Sequence, residues 1–177
     1  IINYNGMKNQ WISSKHGGSP GENIALAAGK TTEVLRIQPA DIPFGLNLDP
    51  LYSYGAVKGA IYSAAFLLRR VLAGELDIDP DEIEIANYTR KGNVGELAYA
   101  DIVMSDRLPN GAGFVKYLFD NFDRIIKDTC EPIPGSKTYA ETIISQSHRA
   151  CDSACYDCLK AYRNMTFHGL LDWRLAI

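Results

Sequence analysis

The amino-acid sequence predicts an α/β fold of the α+β kind: a mixed β-sheet flanked by helices, finished by a C-terminal cysteine-bearing loop and a helix. Three observations predict it. Apolar residues recur every three to four positions through residues 56–76, and several short segments alternate in the manner of half-buried strands. In addition, "CDSACYDC" gathers three of the four cysteines, Cys151, Cys155 and Cys158, into eight residues. With 177 residues, 46% of them apolar, the chain is long enough to bury a core without a staple.

Residues 1–30, which include "HGGSPGEN", sustain no period and read as loop or the tail of a preceding region. "TTEVLRIQ" (31–38) alternates, is rich in β-formers and meets Pro39, so it predicts a strand ending there. From Ala56 to Leu76, Val57, Ala60, Ile61, Ala64, Ala65, Leu68, Val71 and Leu72 form one apolar stripe, which predicts a long amphipathic helix over one face of the sheet. "DPDE" turns the chain into the strand "IEIANYT" (83–89), and "GELAYADIVMSD" (95–106) is its partner across an "RKGN" hairpin. "NGAGFVKYLFDNFDRIIKD" (110–128) carries Phe114, Tyr117, Leu118, Phe122, Ile125 and Ile126 on one stripe, a single helix with Asn110 as N-cap. "CEPIPGSK" breaks it, "TYAETIISQSH" (138–148) gives a third helix, and a final helix starts near Met165.

Charge and hydropathy narrow the function classes. A formal charge of −3 and a pI near 5.6 argue against a broad basic face for nucleic acid. A local basic patch remains around the terminal cysteines, at Arg149, Lys160, Arg163 and Arg174, and reads either as a DNA contact or as solvated surface. The longest apolar stretch, 56–76, is interrupted by Lys58, Arg69, Arg70 and Glu75, which excludes a membrane span. "IINYNGMKNQW" lacks the grading of a secretion signal, so the expected location is the cytoplasm. No initiator methionine is present and "LLDWRLAI" stops without a glycine or proline, so the chain reads as a piece of a larger protein.

The cysteines read C-x3-C-x2-C, with His148 three residues before the first. Zn²⁺ takes four N or S ligands in a tetrahedron, and a C-x2-C turn delivers two thiolates to one ion with little strain. Disulfides would suit a secreted chain, and C-x2-C pairs bridge awkwardly. A redox pair would need only "CYDC" and leaves Cys151 unexplained, while Asp152 and Asp157 do not suit a merely buried set. A structural zinc therefore fits the residues best. For the fourth ligand His148 ranks first, Cys130 second and His168 third.

Other motifs fail. "AAGKTT" holds the end of a phosphate loop, but Ile24 stands where the motif requires glycine. Glu82, Glu84, Glu96, Asp101 and Asp106 raise the alternative of a metal-dependent nuclease, against the plainer reading of a strand's wet face. Gly111 and Gly113 in "NGAGF" either expose N–H groups to a phosphate or let helix and strand approach closely. There is no G-x-S-x-G.

"CDSACYDCLKAYRNMTFHGLLDWRLAI", preceded by "LPNGAGFVKYLF" and "TTEVLRI", resembles the C-terminal zinc-binding domain that accompanies superfamily-2 DNA helicases of the mitomycin repair factor A type. Its closest likeness is to the B subunit of DISARM antiphage defence systems. The resemblance covers residues 31–177, which it makes a helicase-associated zinc-binding domain, and implies structural zinc on Cys151, Cys155 and Cys158. In the repair helicases four clustered cysteines bind the metal, whereas here His148 stands about where the first would be. The resemblance further implies a non-catalytic module that contacts DNA, with Arg149, Lys160 and Arg163 as candidates, or docks a helicase subunit or helicase domain. A protein–protein interaction module without DNA contact is the remaining alternative.

Overall fold

The computed structural model describes residues 2–5, 10–13, 29–51, 55–92, 97–131, 133–135, 138–145 and 148–176. The chain divides into two units, Ile1–Lys30 and Thr31–Ile177. In the first, where the sequence shows no sustained period, β1 (Ile2–Asn5) and β2 (Gln10–Ser13) pair antiparallel with Tyr4 opposite Trp11. The remaining elements belong to the second unit.

Helix α1, Ala56–Leu76, spans the range its periodicity predicts. The expectation of one buried stripe is too narrow. On one side Leu68 and Leu72 pack with Ile83, Met104, Val115, Leu118 and Ile125 to form the core over the sheet. On another, Tyr62, Phe66 and Leu67 pack with Ala154, Cys158, Leu159 and Leu171 of the C-terminal segment. The second face comes from positions outside the stripe, aromatic Tyr62 and Phe66 with small Gly59 and Ser63, all buried. Tyr62, Gly59 and Ser63 carry little helical hydrophobic signal, and the two small residues make close packing possible. No helix among the described residues is long and apolar enough to cross a membrane.

The sheet centres on β6 (Tyr99–Asp106). β3 (Val34–Ile37) pairs with it through Leu35 opposite Met104, and β4 (Ile83–Ile85) pairs on the other side through Ile85 opposite the same Met104. β5 (Thr89–Lys91) follows with Thr89 opposite Asp101, so the predicted 83–89 strand is split at residues 86–88 with a one-residue slip of register. Every pairing among the described strands is antiparallel, which corrects the expected mixed sheet. The reason is topological. α1 returns the chain so that β3 and β4 run the same way, but β6 is inserted between them and pairs with both.

After β6 the chain corrects a second expectation. The 110–128 helix is two helices, α2 (Phe114–Asp120) and α3 (Phe122–Cys130), broken at Asn121, whose side-chain amide donates to the Tyr117 carbonyl. Asn110 is not the N-cap. It sits at φ 68° and donates its N–H to the Thr31 carbonyl. The cap comes instead from the buried Asp106 at the end of β6, whose carboxylate accepts N–H bonds from Ala112 at 2.6 Å, Phe114 at 3.1 Å and Val115 at 3.0 Å. Gly113, at φ 84°, provides the left-handed turn that lets the helix start over that carboxylate. The N–H groups of Ala112, Phe114 and Val115 at this helix start are therefore already taken by Asp106, and that of Gly111 by the Leu108 carbonyl at 3.1 Å.

The C-terminal region is less helical than its periodicity suggests. α4 (Tyr139–Ile144) is short and capped by Thr138, whose hydroxyl accepts from Glu141 N–H at 3.3 Å. In place of a final α-helix there are two 3₁₀ turns, Tyr162–Phe167 and Trp173–Leu175. Asn164 interrupts the first at φ −110° and ψ 22°, with its side chain bonded to local backbone, an arrangement that competes with a helical ladder. Replacing Asp106 by alanine strands three N–H groups around a buried carboxylate site. Asp106→Ala is expected to cost about 3 kcal/mol, well beyond the ~1 kcal/mol of an exposed N-cap, as measured by urea unfolding.

Candidate metal centre

The four ligand-bearing residues lie in a segment with almost no regular structure, so local hydrogen bonds set their positions. Cys151 donates its N–H to the His148 carbonyl at 3.0 Å, which turns the chain between the two side chains. The Cys155 carbonyl then accepts from Cys158, Leu159 and Lys160 at 3.2, 3.1 and 2.9 Å, folding "CYDC" around a single oxygen. Cys155 N–H points at Cys158 Sγ, 3.0 Å away. Each of these turns brings one ligand pair together.

The result is a group of four side chains, His148, Cys151, Cys155 and Cys158, whose ligand atoms all lie within 4.8 Å of one another. Among the described residues no other set of three or more such side chains converges. Cys158 Sγ is 3.6 Å from Cys155 Sγ and 3.9 Å from Cys151 Sγ. A tetrahedron with Zn–S bonds of ~2.3 Å has S···S edges of about 3.8 Å. A disulfide needs about 2.05 Å, and all three sulfurs are free thiols.

The histidine provides an independent test of fit. His148 Nδ1 lies 3.1 Å from the Ile143 carbonyl, which can only accept, so Nδ1 carries the proton. Nε2 then presents its lone pair, and it is buried with no hydrogen-bond partner. A buried nitrogen lone pair facing three sulfurs is costly unless a cation receives it, and the carbonyl behind Nδ1 is the usual orienting contact of a ligand histidine. The thiols agree. Burial and the neighbouring sulfurs push Cys151 up to about 12, and burial likewise raises Cys158. At Cys155 burial opposes ionisation, but hydrogen bonds from Asp157 N–H and the two neighbouring cysteines outweigh it and lower the thiol. Left to themselves the three sulfurs resist carrying three negative charges, and a divalent cation removes that resistance. With four protein ligands the site is closed, the arrangement of structural rather than catalytic zinc.

Side chains from other elements brace the loop. Tyr139 donates its hydroxyl to the Cys158 carbonyl at 2.7 Å, and burial pushes that phenol's ionisation up. Arg70 reaches the Tyr156 carbonyl at 3.0 Å, and Trp173 Nε1 the Cys151 carbonyl at 3.2 Å, with the indole edge on the His148 ring. The C-terminal stretch lies directly on α1. Ser63 Oγ accepts from Asp172 N–H at 2.9 Å, and a Cβ on Gly59 would sit 2.9 Å from the Leu170 carbonyl oxygen. Asp172 and Trp173 belong to the terminal LDW run, whereas Gly59, Ser63, Arg70 and Tyr139 have no sequence signature, because each is an ordinary residue bonding to, or making room for, a backbone group.

The other candidates fall elsewhere. Cys130, at the end of α3, is exposed and outside the cluster. His168 is half-buried, its Nε2 directed at the Asn164 side-chain oxygen and the Ala161 carbonyl. Arg149 is exposed, Lys160 half-buried, and Arg163 pairs through Nε with Asp81 at 2.8 Å. Arg174 is held by Asp172 and by the Asp152 carbonyl. Of the acids, Asp106 caps α2, Asp101 is buried against Arg36, and Glu84 stands opposite Ser105. Asp101 and Asp106 are five residues apart on one strand and point to opposite faces, so they cannot share an ion. Glu96 lies outside the described residues.

Fold and site together define a zinc-binding α+β domain, with the metal site inside a C-terminal loop that packs on α1. The family model of the MrfA Zn-binding domain matches residues 64–159, somewhat more than half of the chain and inclusive of all four ligands. The chain belongs to that family. Searches of curated proteins and of solved structures found no match.

Protein isolated without chelator is expected to contain one zinc per chain by plasma mass spectrometry. His148→Cys should retain it and Cys158→Ala should not. Chelation should accelerate amide exchange across residues 151–176 by at least about 100-fold, given the ~10 kcal/mol that structural zinc contributes in small peptides, while the centre of α1 stays protected.

Proposed function

We propose that this domain is a non-catalytic, zinc-stabilised part of a DNA-helicase machine, one that contacts DNA and docks against the motor domain or subunit, in an antiphage system of the DISARM type. The observation that carries the reading is the closed site of one histidine and three cysteines: with no open coordination position, zinc serves architecture, and the residues it organises are those around the loop. Two features support it. The matched family is named for MrfA, and the terminal motif resembles domains that accompany superfamily-2 helicases. The exposed part of the zinc segment carries Arg149 and, half-buried, Lys160, beside the exposed rings of Tyr156 and Tyr162. Cations interleaved with exposed aromatics suit a single strand, whose phosphates pair with the former and whose bases stack on the latter.

The test is binding of a fluorescent single-stranded oligonucleotide across a range of salt. If Arg149 and Lys160 each neutralise one phosphate, the double substitution to alanine should reduce the slope of log K against log salt by about 1.4, with zinc content unchanged. Unchanged affinity and slope would remove DNA contact from these residues. Capture of a helicase subunit insensitive to both salt and these substitutions would leave the domain as a protein-docking module alone.

A further inference from the structure

A groove that shares no residue with the metal centre lies between the outer edge of β3 and helix α2. β3 is the last strand of its sheet and pairs on one side with β6. The Asp106 N–H donates to the Glu33 carbonyl at 3.3 Å, which sets the ladder: residues 33, 35 and 37 bond to β6, and the N–H and C=O groups of Val34 and Arg36 point the other way. Among the described residues these outward groups have no backbone partner. A cavity of about 270 Å³ lies beside them, lined by Glu33, Val34 and Leu35 and by Val115, Lys116 and Phe119 of α2. The Phe119 ring is 66% exposed. Glu33 Oε2, in contrast, is buried without a hydrogen-bond partner. Its side chain fills the space over Gly111, where a Cβ would sit 2.8 Å from Glu33 Cγ. Lys116, the cation on the lining, donates to Asp120 at 2.7 Å and acts on Glu33 as a neighbouring charge.

We propose that this groove docks an extended segment of a partner protein, which adds to β3 as a further strand, seats an apolar side chain against Val115 and Phe119, and extends a lysine or arginine to Glu33 Oε2. Three observations select that occupant. Outward N–H and C=O groups along a strand edge are completed by a peptide backbone, which offers acceptors and donors at the same spacing. The cavity is smaller than the ~300–1,000 Å³ of small-molecule sites and suits a single side chain. A buried carboxyl oxygen without a donor is costly, and a cationic N–H relieves that cost with a charge-assisted bond. A short edge strand alone would only discourage pairing. The exposed ring of Phe119 and the unpartnered Glu33 oxygen beside it make this edge a site. The spacing of the segment follows from the strand. Glu33 and Leu35 share one side of the sheet, so the basic and apolar residues that meet them are two positions apart. The inference uses neither the metal nor the DNA-contact reading.

The test selects a displayed library of random heptapeptides against the full chain with zinc bound, then follows the selected peptide, made with a fluorophore, by anisotropy and amide exchange. Sequences with lysine or arginine two positions from an apolar residue are expected. On binding, exchange at the Val34 and Arg36 amides should slow at least about tenfold, with Leu35 and Ile37, which already bond to β6, unchanged. Phe119→Ala, at an exposed ring, and Glu33→Gln, which keeps the shape of the side chain, should each weaken the peptide roughly tenfold. In Glu33→Gln, replacing the peptide's basic residue by alanine should cost nothing further, a coupling that a merely structural role for Glu33 does not produce. Absence of that sequence pattern, or a selected peptide that binds without slowing Val34 and Arg36, would overturn the proposal. So would slow exchange at both amides in the free chain: dependence on protein concentration would assign the edge to a second copy, and independence to the chain itself. Because no step involves nucleic acid, failure here leaves the DNA contact standing, and loss of the DNA contact leaves the groove.

Discussion

Coordination of one cation by His148, Cys151, Cys155 and Cys158 is the constraint on which the C-terminal part of this domain rests. Residues 149–176 contain two short 3₁₀ turns and no α-helix or strand, so few backbone ladders hold them. Their order comes from turns around the Cys155 carbonyl, from braces such as Tyr139 and Trp173, and from packing of Leu159 and Leu171 on α1. Each contribution is small, and each depends on the loop already having its shape. The metal fixes that shape. Its ligands come from a stretch of eleven residues, so it does not cross-link distant strands; it stiffens a loop until the loop can act as a packing surface.

Helix α1 makes that surface useful. Most amphipathic helices bury one stripe, whereas α1 is a wall with a core on each side, one over the sheet and one under the zinc loop. Gly59 and Ser63 admit the chain near Leu170 and Asp172 to backbone distance, and Asp172 closes the contact through Ser63. The same geometry brings Arg163 to Asp81 beside β4, so the zinc segment touches the sheet side of the molecule as well as the helix. Sheet, helix and metal loop thereby pack as one body within residues 31–177.

Legibility in the sequence follows the range of the interactions. α1 is readable to the residue because a 3.6-residue period persists over its whole length, and the metal cluster because its ligands are close in sequence and chemically unlike their surroundings. The sheet's parity is not readable. It depends on β6 entering between β3 and β4, a choice made by tertiary packing. In the sequence Asp106 reads as part of a strand's wet face, with a nuclease acid as the alternative, and Asn110 as a cap, yet the buried Asp106 carboxylate at the strand end is what reaches the next helix's free N–H groups, while the asparagine takes a left-handed turn. Asn164 illustrates the converse problem. Its neighbours fit a helical pattern, but one amide side chain bonded to Leu159 and Ala161 ends the helix before it starts.

The most direct measurement is X-ray absorption at the zinc edge on the intact chain. The account predicts three sulfurs at about 2.3 Å and one nitrogen at about 2.0–2.1 Å, with no oxygen bound to the metal. Two sulfurs completed by oxygen, or four sulfurs drawn from cysteines including Cys130, would contradict it, because the loop would then be gathered by a different set of bonds from the one around which this domain is packed.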